Sequence, residues 1–118
     1  MRSFKVIIAG GREFSQKDLL HRFCDKVLQN KQEVEVVSGG AKGADYLGEC
    51  YAKEKGFKLS VFPAKWAEYG KAAGAIRNLE MAKYADALIA FWDGRSKGTK
   101  DMIDKAIRKG LKVRICKY

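Results

Sequence analysis

Short apolar runs alternate with amphipathic stretches along the whole chain. Phe4-Lys5-Val6-Ile7-Ile8-Ala9 is rich in β-formers and closes on Gly10-Gly11, which predicts a first strand and a tight turn. Leu19, Leu20, Phe23, Cys24, Val27 and Leu28 then recur at the spacing of one helical face, so residues 15–30 are expected to be helical. Ser15 with Asp18 three positions on supplies an N-cap signal, and His21 falls on the polar side of that helix, where a surface position is expected. Residues 34–38 form a second strand, again closed by a glycine pair, Gly39-Gly40. Residues 44–55 read as a helix with Ala44, Leu47, Tyr51 and Ala52 inward and Gly56 as its stop. Residues 57–62 make a third strand that Pro63 ends, because proline removes a ladder donor.

Residues 64–74, with Trp66, Tyr69, Gly70 and Gly74, read as an irregular loop. A helix follows over 75–83, with Ile76, Leu79 and Ala82 inward. The run Ala87-Leu88-Ile89-Ala90-Phe91 carries no charge, as a strand covered on both faces does. A helix over 99–109, with Met102, Ile103, Ala106 and Ile107 on one face, and a strand over 111–116 complete the chain. Strand, loop and helix thus repeat four times before a closing strand. That order predicts an α/β fold: a single three-layer domain over residues 1–118, with right-handed crossovers and helices on both faces of a five-stranded parallel sheet. The expected strand order is 3-2-1-4-5, which puts the topological switch between strands one and four.

Composition narrows the function classes. With 118 residues, 47% of them hydrophobic, the chain is globular and of one-domain size. It has no run of about 18 apolar residues for a membrane span, and its start lacks a secretory apolar region, so no membrane partner and a cytoplasmic location are expected. Three cysteines without C-x-x-C spacing and one histidine suggest neither a zinc site nor a disulfide framework; no metal and no cofactor is expected. The net charge of +10 is concentrated late, with nine basic and two acidic residues in positions 95–118, and such an end attracts phosphate or nucleic acid.

Three loops follow the carboxyl ends of strands and share one edge of the predicted sheet. They are Gly10-Gly11-Arg12, then Ser38-Gly39-Gly40-Ala41-Lys42-Gly43-Ala44-Asp45, then Asp93-Gly94-Arg95-Ser96-Lys97-Gly98-Thr99. Glycine exposes backbone N–H groups, and each loop enters a helix whose first turn has unpaired donors and a partial positive charge. Phosphate is the ligand such loops suit. Arg12, Lys42 and Lys97 add charge, and Ser38 and Thr99 add hydroxyl donors. Neither G-x-x-x-x-G-K-[ST] nor G-x-G-x-x-G occurs, which argues against a P-loop NTPase and a dinucleotide dehydrogenase. Trp66, Tyr69 and Trp92 lie near this edge and offer stacking surfaces, and Arg77-Asn78 opens a helix where the arginine can grip a phosphate.

These four spaced motifs, from Val6 to Arg12, Val37 to Asp45, Tyr69 to Asn78 and Phe91 to Thr99, resemble the YspA/YpsA-related branch of the SLOG superfamily, which also gathers DprA (Smf) and the Lonely Guy cytokinin-activating enzymes. The resemblance implies a Rossmann-like fold that binds a nucleotide or nucleotide-derived ligand. Against the Lonely Guy pattern, Arg77 and Met81 match an Arg-x-x-x-Met pair and Gly98-Thr99 match the Gly-Thr of Pro-Gly-Gly-x-Gly-Thr-x-x-Glu, while Met102 stands where that pattern has its glutamate.

The expected ligand-binding set is Gly10, Gly11, Arg12, Ser38, Gly39, Gly40, Lys42, Gly43, Asp45, Arg77, Asn78, Trp92, Asp93, Gly98 and Thr99. The expected role is a nucleotide sensor or a divergent N-glycosidic phosphoribohydrolase. Any hydrolysis needs a carboxylate to activate water or stabilise the sugar cation, and Asp45 and Asp93 are the candidates, with Glu49 one turn further along. The competing expectation is a DprA-like protein that binds single-stranded nucleic acid. A homodimer is expected, because a small open sheet has edges to protect.

Overall fold

The computed structural model describes residues 3–118. Its strands are β1 (Phe4–Gly10), β2 (Val34–Ser38), β3 (Lys58–Val61), β4 (Ala87–Trp92) and β5 (Lys112–Lys117). All pair in parallel, in the order β3-β2-β1-β4-β5. The long helices are α1 (Lys17–Leu28), α2 (Ala44–Lys55), α4 (Ala73–Tyr84) and α5 (Lys97–Arg108).

Alternation along β1 sorts the core into two layers. Val6 and Ile8 face one side with Leu20, Cys24 and Leu28 of α1 and Ala44, Tyr51 and Ala52 of α2. Ile7 and Ala9 face the other side with Met81 and Ala82 of α4 and Met102, Ile103 and Ala106 of α5. The chain therefore winds from β1 to β3 over one face and crosses to the other before β4. That crossing leaves the carboxyl ends of β1 and β4 diverging, and a crevice opens there. β4 is buried from Ala87 to Phe91, in keeping with its lack of charge. A buried polar contact ties the opposite end: Glu35 of β2 accepts hydrogen bonds from Ser60 at 2.8 Å and from Tyr84.

Four local expectations change. Residues 66–72 are not irregular: a single helical turn, α3 (Trp66–Tyr69), runs into a 3-10 turn (Gly70–Ala72), and α4 begins two residues earlier than its apolar spacing implies. The N-cap of α1 is Gln16, one residue past the expected Ser15, without a side-chain hydrogen bond, and the Ser15 carbonyl accepts the Lys17 amide. Ile107 is 59% exposed, since the buried stripe of α5 runs through Thr99, Met102, Ile103 and Ala106 and leaves it off the sheet. His21 is half-buried between α1 and α2, with its ring edge-on to Tyr51 and Nε2 3.2 Å from Glu54.

Candidate functional site

The crevice holds a cleft of about 600 Å³ between the ends of β1 and β4 and the first turns of α2, α4 and α5. Its walls include Gly10, Gly11, Arg12, Asp45, Arg77, Asn78, Asp93, Gly98 and Thr99, so nine of the residues singled out from the sequence converge on one cavity. Gly39, Gly40 and Lys42 line a second hollow of about 450 Å³ that joins the first. Ser38, Gly43 and Trp92 line neither.

Arg77 and Asp45 form the centre. Arg77 Nη1 donates to the Gly39 carbonyl at 2.6 Å and Nε to Asn78 Oδ1 at 2.9 Å, which fixes the plane of the guanidinium. Asp45 opens α2 and is nearly fully buried; it accepts the Ala41 amide at 3.2 Å. Burial pushes its carboxyl up to about 6, while the Ala41 amide and the Arg77 charge oppose that rise. Arg77 is lowered from its ordinary value by burial first, with Asp45 opposing and the neighbouring Arg12 charge adding to it. Asp45 is thus a carboxyl that can exchange a proton in the range where acid–base chemistry is useful.

Gly39 makes this packing feasible. A Cβ there would lie 2.5 Å from Arg77 Nη1 and 2.8 Å from Asp45 Oδ2, so any larger residue pushes the pair aside. Gly43 has a different task. Its φ of +75° favours glycine, and a Cβ would press into the carbonyl oxygens of Gly11 and Arg12, so it lets the first and second loops touch. This contact accounts for its absence from the cavity walls.

Many loop amides are already paired within the chain. Gly11 donates to Phe91, Gly40 to Ser38 Oγ, and Ala41 to Asp45. Arg95 and Ser96 both donate to Asp93 Oδ1 at 2.8 Å, and Thr99 donates to Ser96 Oγ at 3.4 Å. Asp93 therefore organises the turn before α5, and its carboxyl sits below its ordinary value because those two amides favour the anion. Ser38 is fully buried and donates to Glu49 at 2.6 Å, so both of these residues support the second loop from behind. The Trp92 indole donates to the Ser96 carbonyl at 3.1 Å and packs on the core instead of facing a ligand. Among the described residues, no acceptor pairs with the amides of Lys97 and Gly98, which begin α5 at the cleft wall, or with those of Lys42 and Gly43 at the start of α2. The exposed-amide surface is accordingly narrower than the glycine count suggests.

Several wall residues escape sequence reasoning. Tyr118 reaches the cleft from beyond the edge strand, with its ring packed edge-on against Phe14. Asp101 lines the cleft beside Met102; it accepts Asn78 Nδ2 at 3.0 Å and Lys105 Nζ at 2.6 Å. Trp66, which the sequence does set near this edge as a stacking surface, borders both hollows from α3. For Tyr118 and Asp101 the one signal in the sequence is the Asp101 and Lys105 pair, four apart on a predicted helix.

A family model described as the YspA, cpYpsA-related SLOG family matches residues 4–69. The Gene 61 protein of Mycobacterium phage D29 is 33% identical over 116 residues, covering 92% of this chain and 93% of that protein. Among solved structures, DNA processing protein A (DprA) from Streptococcus pneumoniae superposes with a TM-score of 0.74 over 96% of this chain at 22% identity. This chain spans 50% of that DprA chain, and the likeness shows the fold.

Proposed function

The chain belongs to the YspA, cpYpsA-related SLOG family, and from that premise we propose that its cleft binds a nucleotide or nucleotide-derived ligand. The observation that carries this reading is the convergence of Arg77, Asp45 and the open amides of Lys97 and Gly98 on one cavity at the sheet's switch point. A phosphate suits the first turn of α5, where free N–H groups and the helix dipole act together. Two of the five N–H groups of Arg77 are committed to the chain, which leaves the others for a ligand oxygen. Asp45 faces the same space as an acceptor for sugar hydroxyls when ionised.

Sensing fits this set better than turnover on the Lonely Guy pattern. Met102, at the position of that pattern's glutamate, is an apolar wall residue. Asp93 and Asp101 are each held by internal donors. Of the other two cleft carboxylates, Glu13 is exposed whereas Asp45 is buried with its carboxyl pushed up to about 6, so a divergent N-glycosidic hydrolysis would run through Asp45. Calorimetry with a panel of nucleoside 5′-monophosphates tests the binding, and chromatography of the same mixtures tests release of free base. One-to-one binding without release supports the sensor reading; no binding of any member removes the proposal.

A second reading rests on charge. Lys112, Arg114 and Lys117 are all exposed on edge strand β5. Lys112 and Arg114, two apart, share one face of that edge while Lys117 lies on the other over the Trp92 ring, and a cationic edge of this kind suits the backbone of a single-stranded nucleic acid, the role of interest given the fold shared with DNA processing protein A. It predicts oligonucleotide affinity that falls with salt at a log–log slope of about 0.7 per phosphate neutralised.

A further inference from the structure

The second hollow is a distinct chemical environment. It shares Arg12, Glu13, Ala41, Trp66 and Arg77 with the first cleft, so the two are lobes of one groove. Their charges differ. The first lobe is walled by Glu13, Asp45, Asp93 and Asp101 against Arg12, Arg77 and Lys97. The second is walled by Arg12, Lys42 and Arg77 against Glu13 alone. Arg12 and Lys42 make no ion pair with any described carboxylate. Arg12 also stands close enough to Arg77 to disfavour its charge. Asp45 balances the charge of Arg77 alone, and the repulsion that Arg12 adds is relieved by an anion placed between the two guanidinium groups. Trp66, 52% exposed, overlooks both lobes from the same boundary and offers an aromatic face to a second ring.

We infer that the second lobe is a subsite for a second nucleotide unit, so that the ligand is two nucleoside units bridged by phosphate, with the bridge at Arg12 and Arg77 and the second unit against Lys42, Gly40 and Trp66. The inference rests on the nucleotide reading of the first lobe and extends it to the size and charge of the ligand. Each lobe lies within the volume range of roughly 300–1,000 Å³ typical of small-molecule sites, so each suits one unit. Occupying both at once makes the second contact intramolecular and raises affinity without any change in the first. A free dinucleotide and the end of a single strand present this same chemistry.

Calorimetry with a nucleoside 5′-monophosphate, the matching 5′-phosphorylated dinucleotide and the matching ten-nucleotide strand tests it, on the parent and on Lys42→Glu. Lys42 is exposed and borders only the second lobe, so the substitution leaves the core alone. The expected result is a dinucleotide-to-mononucleotide affinity ratio of at least about ten in the parent and near one in the variant. A ratio near one in the parent overturns the inference and leaves the nucleotide reading standing. A ratio that survives Lys42→Glu also overturns it, because the gain then arises elsewhere. Loss of all binding in the parent removes both. With the ratio confirmed, a further salt-dependent gain for the ten-nucleotide strand identifies a strand end, and no further gain identifies a free dinucleotide.

Discussion

Nη1 of Arg77 donates to the carbonyl oxygen of Gly39 at 2.6 Å, and this single bond ties α4 to the loop after β2. The two elements approach the cleft from opposite faces of the sheet, so the arginine is both a cleft cation and a clamp. Arg77→Ala is therefore expected to lower stability as well as ligand affinity. It leaves a part-buried carbonyl without its donor, at a cost of about 1–3 kcal/mol. Arg77→Lys keeps the charge but not the two fixed bonds, and should restore less than half of the lost affinity. Urea denaturation and calorimetry on the same preparations check this; full stability in Arg77→Ala would show that the clamp contributes nothing.

Gly39→Ala tests the same junction from the other side. The added methyl meets Arg77 Nη1 at 2.5 Å and Asp45 Oδ2 at 2.8 Å, and neither atom can swing away without losing a hydrogen bond. We expect about 1–3 kcal/mol of destabilisation and weaker nucleotide binding. Gly43→Ala meets backbone carbonyls and a left-handed φ, so it should cost more than Gly39→Ala. Melting temperatures of the two variants, compared side by side, decide the order; Gly43→Ala melting at or above Gly39→Ala would contradict it.

Asp45 predicts a pH dependence with a definite sign. Burial raises the folded-state value to about 6 from an ordinary 3.8, so the folded protein holds a proton that the unfolded chain releases. The contribution of this site is most favourable below 3.8, declines as pH rises to about 6 and is flat above that. Asp45→Asn keeps an acceptor for the Ala41 amide and removes the titration. Relative to the parent, the variant should gain roughly 2–3 kcal/mol between pH 4 and pH 7. Denaturation curves at pH 4, 5, 6 and 7 provide the measurement, and a constant difference between the two proteins across that series would sink the assignment.

Much of this frame is legible in the residues themselves. The uncharged run from Ala87 to Phe91 marks the central β4, and the two glycine pairs mark turns that do lie on one edge. What was not legible is which donors the loops spend on themselves. Ser38 and Asp93 look in sequence like ligand contacts, yet each holds a neighbouring amide. A short polar side chain in a glycine-rich loop serves either purpose, and only the fold decides. Tyr118 was hidden for another reason. Its place beside Phe14 depends on parallel pairing of β5 with β4, a contact between distant parts of the chain that leaves no local pattern.

Trp66 provides the most direct optical test of the groove. It is exposed, borders both lobes and lies beside Gly74, where a Cβ would sit 3.5 Å from its Cη2. The other tryptophan, Trp92, is pinned by its hydrogen bond to Ser96 and packs on the core. Nucleotide should therefore quench emission from Trp66 and leave that of Trp92 nearly unchanged. Trp66→Ala removes a stacking surface worth about 1–3 kcal/mol per base, while its exposure keeps the stability change within about 0.5 kcal/mol. The expected pattern is quenching in the parent and in Trp92→Phe, and its loss together with weakened binding in Trp66→Ala. Quenching that persists in Trp66→Ala would place the base away from α3 and move the ligand deeper, toward Met81 and Met102.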